Sequence, residues 1–188
     1  QVADSEAVIE IRKYADALKA IGIKLVLMPI PEKSVICMDG LVDATALPEA
    51  NGYSRATRAY LNELTKNDID VIDLYDKLSQ SSDPIYCKTD SHFTPKTAAR
   101  ISGHIIKHIA ERFPEVPIQS PSADPESQAS VSQITIKGDL AGNEAEETLE
   151  LHTAPECATS VNQPGTITNS PILLMGDSHL LVYNQGDD

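Results

Sequence analysis

The stretch that decides the fold of this chain is PILLMGDS, residues 171–178. An apolar run followed by Gly176, Asp177 and Ser178 predicts a buried strand that ends in a sharp turn. A helix that starts at such a turn presents the serine hydroxyl, and its first backbone N–H groups can stabilise an oxyanion. The stretch therefore predicts an acyl-transfer site with Ser178 as its nucleophile.

A second segment supplies the other two groups of a serine triad. Asp90 and His92 stand two residues apart, so in an extended segment their side chains leave the same face, whereas on a helix they would diverge by about 200°. Thr94 and Pro95 are typical of an N-cap and a first helical residue, which places the pair in a loop before a helix. We predict that His92 takes the proton of Ser178 while Asp90 fixes the imidazole tautomer.

Each motif has a simpler interpretation on its own. Gly-Asp-Ser after a strand is more often an ordinary turn, in which Asp177 and Ser178 cap the next helix. His92 alone is more often a hydrogen-bonded loop histidine. The two motifs together favour the nucleophile interpretation, with Asp177 expected to bond local backbone N–H groups and to stay outside the triad.

These motifs resemble those of a known family. Strand-Gly-Asp-Ser resembles the nucleophile block of the SGNH (GDSL-like) hydrolases, whose serine ordinarily comes first and whose Asp-x-x-His pair comes last. Here the pair comes first and is Asp-x-His, as in the alginate O-acetyltransferase branch. The block TDSHFTP, residues 89–95, is similar to the Asp-x-His-Trp-like block of that branch, with Phe93 in place of the usual Trp. LMPIPEK (27–33) and IKGDLA (136–141) also resemble this branch, and the resemblance covers most of residues 23–184.

The resemblance implies a circularly permuted, SGNH-like three-layer α/β/α sandwich with a mostly parallel sheet. It implies an acyltransferase that acetylates hydroxyls of an exported polysaccharide through an acetyl-enzyme on Ser178. It also implies a periplasmic or other extracytoplasmic location and a membrane-embedded acyltransferase that delivers the acetyl group. Further oxyanion donors would lie beyond residue 188, so we expect a single domain over residues 1–188 that is truncated at its C-terminus. The backbone N–H of Ser178 is the oxyanion donor that we can name.

Two other functions fit the same residues. A carbohydrate acetylesterase would use the same triad with water as the acceptor, and sequence does not separate it from a transferase. A non-catalytic polysaccharide-binding module would keep the fold without turnover.

Periodicity gives alternating helices and strands, which favours an α/β fold with a mostly parallel sheet covered on both faces. We predict a helix over 5–20, a strand over 23–28, a helix after Ser54, a strand over 69–74 and a helix from Pro95. Residues 114–133 are rich in proline, serine and acidic residues and predict an exposed linker. Residues 133–137 and 148–152 alternate as strands do, so we predict a small β insertion over 133–153.

Charge bounds the possible partners. The net charge of −13 argues against nucleic acid, because phosphate binding requires a basic surface. Lys88, Lys96 and Arg100 cluster around the loop of Asp90 and His92, and we predict that they bind an anionic polysaccharide acceptor. A solvated helix face explains the same trio equally well. No apolar run approaches the roughly 18 residues of a membrane span, and no signal-peptide pattern opens the chain.

Metal and cofactor sites are not expected. Cys37, Cys87 and Cys157 lack a zinc spacing such as Cys-x-x-Cys. One disulfide, with Cys37 and Cys87 as the first choice, and three buried thiols both remain open. His104 and His108 stand four residues apart on the predicted third helix, but the Glu of a His-Glu-x-x-His site is absent, which favours a structural role.

Overall fold

The computed structural model describes residues 5–37, 55–117, 130–140, 146–153, 170–180 and Tyr183. The chain divides into two compact units, residues 1–82 and 83–188. We describe each unit by itself, and the expectation of one domain over 1–188 stays a prediction.

The first unit is α/β. Its elements are the helices α1 (Glu6–Ala20), α2 (Lys33–Ile36), α3 (Arg55–Lys66) and α4 (Tyr75–Leu78), and the strands β1 (Val26–Leu27) and β2 (Asp70–Val71). The side chain of Ser5 caps α1 by accepting a hydrogen bond from the backbone N–H of Val8. Gly22 follows α1 with a φ of +81°, a conformation that glycine adopts without steric cost. The first predicted helix is therefore confirmed.

Strands β1 and β2 pair in parallel, with Val26 opposite Asp70 and Leu27 opposite Val71. Both are shorter than the predicted strands over 23–28 and 69–74. Ile23 is 49% exposed and lies outside the pairing, so the apolar run as a whole is not a buried strand. The core of the unit packs α1 and α3 against the strands through buried apolar side chains, namely Val8, Leu61, Leu64 and Ile69.

The second unit contains the helix α5 (Pro95–Arg112) and the strands β3 (Ser130–Lys137) and β4 (Glu146–Thr153), followed by a short 3₁₀ helix, Ser178–Leu180. Thr94 caps α5 by accepting a hydrogen bond from the backbone N–H of Thr97, and Pro95 is the first helical residue. The predicted start of the third helix is confirmed. This start places Asp90 and His92 in the loop directly before α5.

Strands β3 and β4 form an antiparallel hairpin in which Ser130 faces Thr153 and Lys137 faces Glu146. The hairpin is longer than the predicted strands, because β3 begins at Ser130. Residues 130–133 of the predicted linker are therefore strand, and residues 118–129 lie outside the described residues. Strand β4 contacts α5.

The predicted strand before Ser178 is wrong in this structure. Residues 171–177 have no regular secondary structure, and Leu173 and Met175 are 70% and 73% exposed. A buried parallel strand needs hydrogen-bonded neighbours, and none of the four described strands pairs with this segment. The segment instead makes local bonds, since the hydroxyl of Ser170 donates to the carbonyl of Ile172 at 2.6 Å.

The described part of the chain holds one parallel strand pair and one antiparallel hairpin. The three-layer sandwich and its permutation stay predictions. Among the described helices, none combines the length and apolar character that crossing a bilayer requires.

Candidate active site

The loop before α5 brings its acid and its imidazole together. Asp90 Oδ1 lies 2.5 Å from His92 Nδ1 and also accepts the backbone N–H of His92 at 2.8 Å. Asp90 is 8% exposed, so the carboxylate is held in a largely dry position. Residues 88–92 are bends and not the extended segment that the two-residue spacing assumed, and the bond from the His92 backbone to the Asp90 side chain closes a local turn that brings the two groups together.

Backbone pairing closes this loop on itself. Tyr86 and Phe93 form an isolated antiparallel bridge, and Cys87 N donates to the carbonyl of His92 at 3.1 Å. Thr94 N donates to the carbonyl of Ile85 at 2.9 Å, directly before the helix. The loop is therefore a tight, paired turn that fixes where the imidazole points.

Ser178 completes the arrangement. Its Oγ lies 2.8 Å from His92 Nε2, the ring nitrogen that faces away from Asp90. Ser178 is the first residue of the 3₁₀ helix, and its side chain is exposed. Asp90, His92 and Ser178 thus form one hydrogen-bonded chain, the geometry in which an imidazole can remove a serine proton.

Asp177 does not enter this chain. Its Oδ1 accepts the backbone N–H of His179 at 3.0 Å and lies 3.1 Å from His179 Nδ1. The bond from the His179 backbone holds the pKa of Asp177 below its ordinary value. The prediction that Asp177 bonds local N–H groups is confirmed.

The ring of His179 packs beside the base. Its centroid lies 4.9 Å from that of His92 and 5.1 Å from that of Phe93. The two imidazole rings are tilted by 54°, so His179 is a ring neighbour of the base, while His92 itself bonds Asp90 and Ser178.

Tyr183 is a contact that sequence reasoning missed. Its hydroxyl donates to the carbonyl of Phe93, the residue after His92, and lies 3.4 Å from the Cys87 thiol. Burial raises the pKa of Tyr183 above its ordinary value. The contact ties the stretch after Ser178 to the loop of His92. The sole sequence signal was an aromatic residue five positions after the predicted nucleophile, which is too common to single out.

The favoured disulfide would join Cys37 of the first unit to Cys87 of the second, and it stays a prediction. Cys87 is buried, and its sulfur lies 3.4 Å from the carbonyl of Phe93, so the thiol is part of the packing beneath the loop. Cys157 lies outside the described residues.

The predicted cationic trio is partly neutralised. Lys96 and Arg100, one turn apart on α5, both bind Asp83, at 3.1 and 3.0 Å. The hydrogen bonds from Lys96 and then Arg100 hold the pKa of Asp83 below its ordinary value. Lys88 is exposed in the loop next to Asp90. A role of the three in binding an acceptor stays a prediction.

One group of side chains has the composition of a metal site. Asp90, His92 and Asp139 each place a ligand atom within 4.8 Å of the others. The same atoms, however, take part in hydrogen bonds within the site, since Asp139 accepts from Ser91 while Asp90 and His92 pair with each other. The donor set is therefore explained by the hydrogen-bond network of the loop.

Comparison with known proteins identifies the family. Residues 1–180 match a family model described as the SGNH hydrolase-like domain of acetyltransferase AlgX. The chain belongs to this family. The resemblance drawn from the Asp-x-His and Gly-Asp-Ser motifs is confirmed.

Solved structures agree on the fold. PatB1 of Bacillus cereus is similar with a TM-score of 0.57 at 16% identity, over 80% of this chain and 52% of that chain. AlgX of Pseudomonas aeruginosa is similar with a TM-score of 0.60 at 20% identity, over 78% of this chain and 38% of that chain. The O-acetyltransferase domain of Pseudomonas putida AlgJ is similar with a TM-score of 0.52 at 20% identity, over 78% of this chain and 54% of that chain. The SGNH-like α/β class is confirmed, and this chain spans about half or less of each neighbour. Comparison with curated protein sequences gave no match.

Proposed function

We propose that this SGNH-like domain is a polysaccharide O-acetyltransferase that works through an acetyl-enzyme on Ser178. The observation that carries the proposal is the continuous hydrogen-bonded chain from Asp90 through His92 to Ser178, with distances of 2.5 and 2.8 Å. Membership of the AlgX acetyltransferase family supports it. The similarity to PatB1, AlgX and AlgJ supports the fold on which the proposal rests.

The first half-reaction loads the serine. Ser178 Oγ attacks the carbonyl carbon of the acetyl donor while His92 Nε2 accepts the hydroxyl proton. Asp90 stabilises the imidazolium that forms and keeps Nδ1 protonated. Collapse of the tetrahedral intermediate breaks the bond to the leaving group, which takes the proton back from His92. Acetyl-Ser178 remains.

The second half-reaction transfers the acetyl group. A sugar hydroxyl gives its proton to His92 and attacks the acetyl carbon. The bond to Ser178 Oγ then breaks, and His92 returns the proton to that oxygen, which restores the free serine. Water in place of the sugar would release acetate. The exposure of Ser178 favours this alternative, an acetylesterase, because nothing in the described part of the chain covers the hydroxyl.

Oxyanion stabilisation falls to the amide of Ser178. The other two amides of the 3₁₀ helix are occupied, since His179 N bonds the Asp177 side chain and Leu180 N bonds the Asp177 carbonyl. Removing one donor from an oxyanion hole commonly costs about a hundredfold in rate, so a second donor would add much to the site.

The acceptor would meet the cations next to the loop. We propose that Lys88, Lys96 and Arg100 attract an anionic polysaccharide, with Asp83 holding the last two in place. From the family resemblance alone, we also propose a periplasmic or other extracytoplasmic location. A membrane-embedded acyltransferase would supply the acetyl group there.

Substitution of the triad tests the proposal. In the full-length protein, Ser178→Ala and His92→Ala should each lower hydrolysis of an activated acetyl ester by about a thousandfold or more, and the double variant should be little worse, because triad members act as a unit. Mass spectrometry of a donor reaction should detect one acetyl group on Ser178. Full activity in Ser178→Ala would leave the non-catalytic binding module as the better function.

Oligosaccharides separate transfer from hydrolysis. Uronate-containing acceptors should gain the mass of an acetyl group, and Lys88→Glu or Lys96→Glu should weaken that gain more at low salt than at high salt. Lys107→Glu on the same helix is the matched control, because Lys107 pairs with Glu111 at 3.9 Å and is not one of the proposed cations. Acetate release without any acetylated sugar would favour the esterase.

A further inference from the structure

The β3–β4 hairpin contacts the loop of Asp90 through a glutamate at the start of β4. Glu147 Oε2 accepts three hydrogen bonds from that loop, from Lys88 N at 2.7 Å, Thr89 N at 3.0 Å and Thr89 Oγ1 at 3.2 Å. Bonds to an ionised carboxylate are roughly twice as strong as neutral ones. Glu147 therefore fixes the backbone that leads into Asp90.

The turn of the hairpin holds the other side of Asp90. Asp139 Oδ1 accepts the backbone N–H of Ser91 at 2.7 Å, and its Oδ2 accepts the Ser91 hydroxyl at 2.5 Å. The backbone N–H of Asp139 donates to Asp90 Oδ2 at 3.3 Å. Asp90 Oδ1 thus bonds His92, and Asp90 Oδ2 accepts a hydrogen bond from the hairpin.

Close backbone packing accompanies these bonds. Leu140 N donates to the Thr89 carbonyl at 3.0 Å, and a Cβ on Gly138 would overlap that same carbonyl. Glycine is required where two backbones approach this closely. The turn 138–140 therefore fits against residues 89–91 with no space for another side chain.

The two carboxylates differ from the other charges of the hairpin. Glu146, the neighbour of Glu147 on the opposite face of β4, is exposed and pairs with Lys137 across the hairpin at 3.7 Å. Asp139 and Glu147 instead accept five hydrogen bonds from three residues that flank Asp90, namely Lys88, Thr89 and Ser91. The exposed pair of Glu146 and Lys137 is what a solvated hairpin surface is expected to show. The bonds that Asp139 and Glu147 accept from the loop are not explained in this way.

We propose that Asp139 and Glu147 are positioning residues that hold Asp90 against the imidazole of His92 from the two sides of the loop. The inference rests on the proposed function, since it assigns the hairpin to the triad. Without the two carboxylates the loop would keep its sequence and lose the constraint on Asp90. Misplacement of a catalytic group by about 1 Å can cost a hundredfold in rate.

Paired substitutions in the full-length protein test this role. Asp139→Ala and Glu147→Ala should each lower kcat for an activated acetyl ester about ten- to a hundredfold with little change in KM. Asp139→Asn and Glu147→Gln keep an acceptor oxygen and should recover part of the loss. Glu146→Ala, the matched control on the same strand, should keep wild-type kcat.

A second measurement does not depend on turnover. In proton NMR spectra, the Nδ1 proton of His92 should exchange slowly with water in the wild type, because Asp90 accepts it, and faster in both alanine variants. A wild type that shows this resonance but has no turnover would contradict the proposed function. The positioning role would then be decided by the exchange rates of the Nδ1 proton in the wild type and the alanine variants. Folded Asp139→Ala and Glu147→Ala variants with wild-type exchange and wild-type kcat would overturn the inference. Should an alanine variant not fold, Asp139→Asn and Glu147→Gln decide by the same two measurements.

Discussion

The loop that carries Asp90 and His92 and the segment that carries Ser178 meet at one hydrogen bond, yet they are held in different ways. Asp90 and Phe93 are 8% and 3% exposed, and backbone pairing closes the loop on both sides. The apolar residues just before Ser178 are mostly exposed, with Leu173 at 70%. The base is therefore preorganised by its own surroundings, whereas the nucleophile depends on a few contacts.

Those few contacts lead back to one residue of the loop. The Phe93 carbonyl accepts a hydrogen bond from the Tyr183 hydroxyl, and the Phe93 ring packs against the ring of His179. In a serine enzyme the hydroxyl must reach the base and then move within the acetyl-enzyme, so a rigid base beside a lightly held nucleophile suits the proposed reaction. The difference between the two regions yields four predictions.

The largest effect should come from Phe93, where the two regions join. Phe93→Ala removes a buried ring that packs on Tyr86 at 4.7 Å and on His179 at 5.1 Å. Such a truncation typically costs about 3–5 kcal/mol. We expect a loss of this size in the free energy of unfolding, measured by urea denaturation, together with loss of ester hydrolysis. Phe93→Leu fills most of the space and should cost clearly less; equal stability of wild type and Phe93→Ala would contradict the described core.

The residues of the site were largely predictable from sequence. The local turn from Asp90 to His92 and the Thr94 cap each express a local rule, and local rules can be read from adjacent residues. The Gly-Asp-Ser motif indicated Ser178, although the strand predicted before it is not formed in the described residues. Tyr183 was not predictable, because its partner Phe93 stands ninety residues earlier in the chain. Asp139 lay in a run that resembles the family, but its bonds to Ser91 depend on how a hairpin packs on a loop.

The fold was less predictable than the site. Helix α1 and the start of α5 followed from capping and apolar periodicity. The apolar runs 23–28 and 171–175 predicted buried strands, but just two residues of the first and none of the second are strand in the described part of the chain. An apolar run shows what a segment prefers to bury, whereas a strand also requires a neighbour that accepts its backbone hydrogen bonds.

A smaller effect is expected from Tyr183, the hydroxyl that ties the nucleophile stretch to the loop. Tyr183→Phe leaves the ring and removes the donor to the Phe93 carbonyl, at a cost of about 1 kcal/mol in the free energy of unfolding. Ester hydrolysis should fall by more than the loss of folded protein explains, since Ser178 would be less firmly placed. Tyr14→Phe at an exposed position is the control and should change neither quantity. A Tyr183→Phe variant with wild-type hydrolysis would mean that Ser178 is placed without this contact.

A still finer test of the loop is acid titration of Asp139. The bonds from the Ser91 hydroxyl and amide hold the pKa of Asp139 below its ordinary value, and the charge of nearby His92 lowers it further. A lowered pKa in the folded state means that these bonds stabilise the fold fully above the unfolded value of about 3.9 and are lost as pH falls through the folded pKa. The carboxyl carbon of Asp139 should therefore titrate below about 3.9 in NMR spectra. Ser91→Ala should move the midpoint upward, and a wild-type midpoint above about 3.9 would contradict the hydrogen bonds to Ser91.

The smallest effect is expected at Leu173, in the exposed segment before Ser178. At 70% exposure the side chain buries little area, so Leu173→Ser should change the free energy of unfolding by no more than about 0.5 kcal/mol, as surface substitutions usually do. Urea denaturation beside Leu64→Ala, a fully buried leucine for which about 2–5 kcal/mol is expected, sets the scale. A loss at Leu173 comparable to that at Leu64 would mean that the segment is buried in solution, as the buried strand predicted from PILLM requires. The nucleophile would then be as firmly held as the base, and the difference between the two regions would disappear.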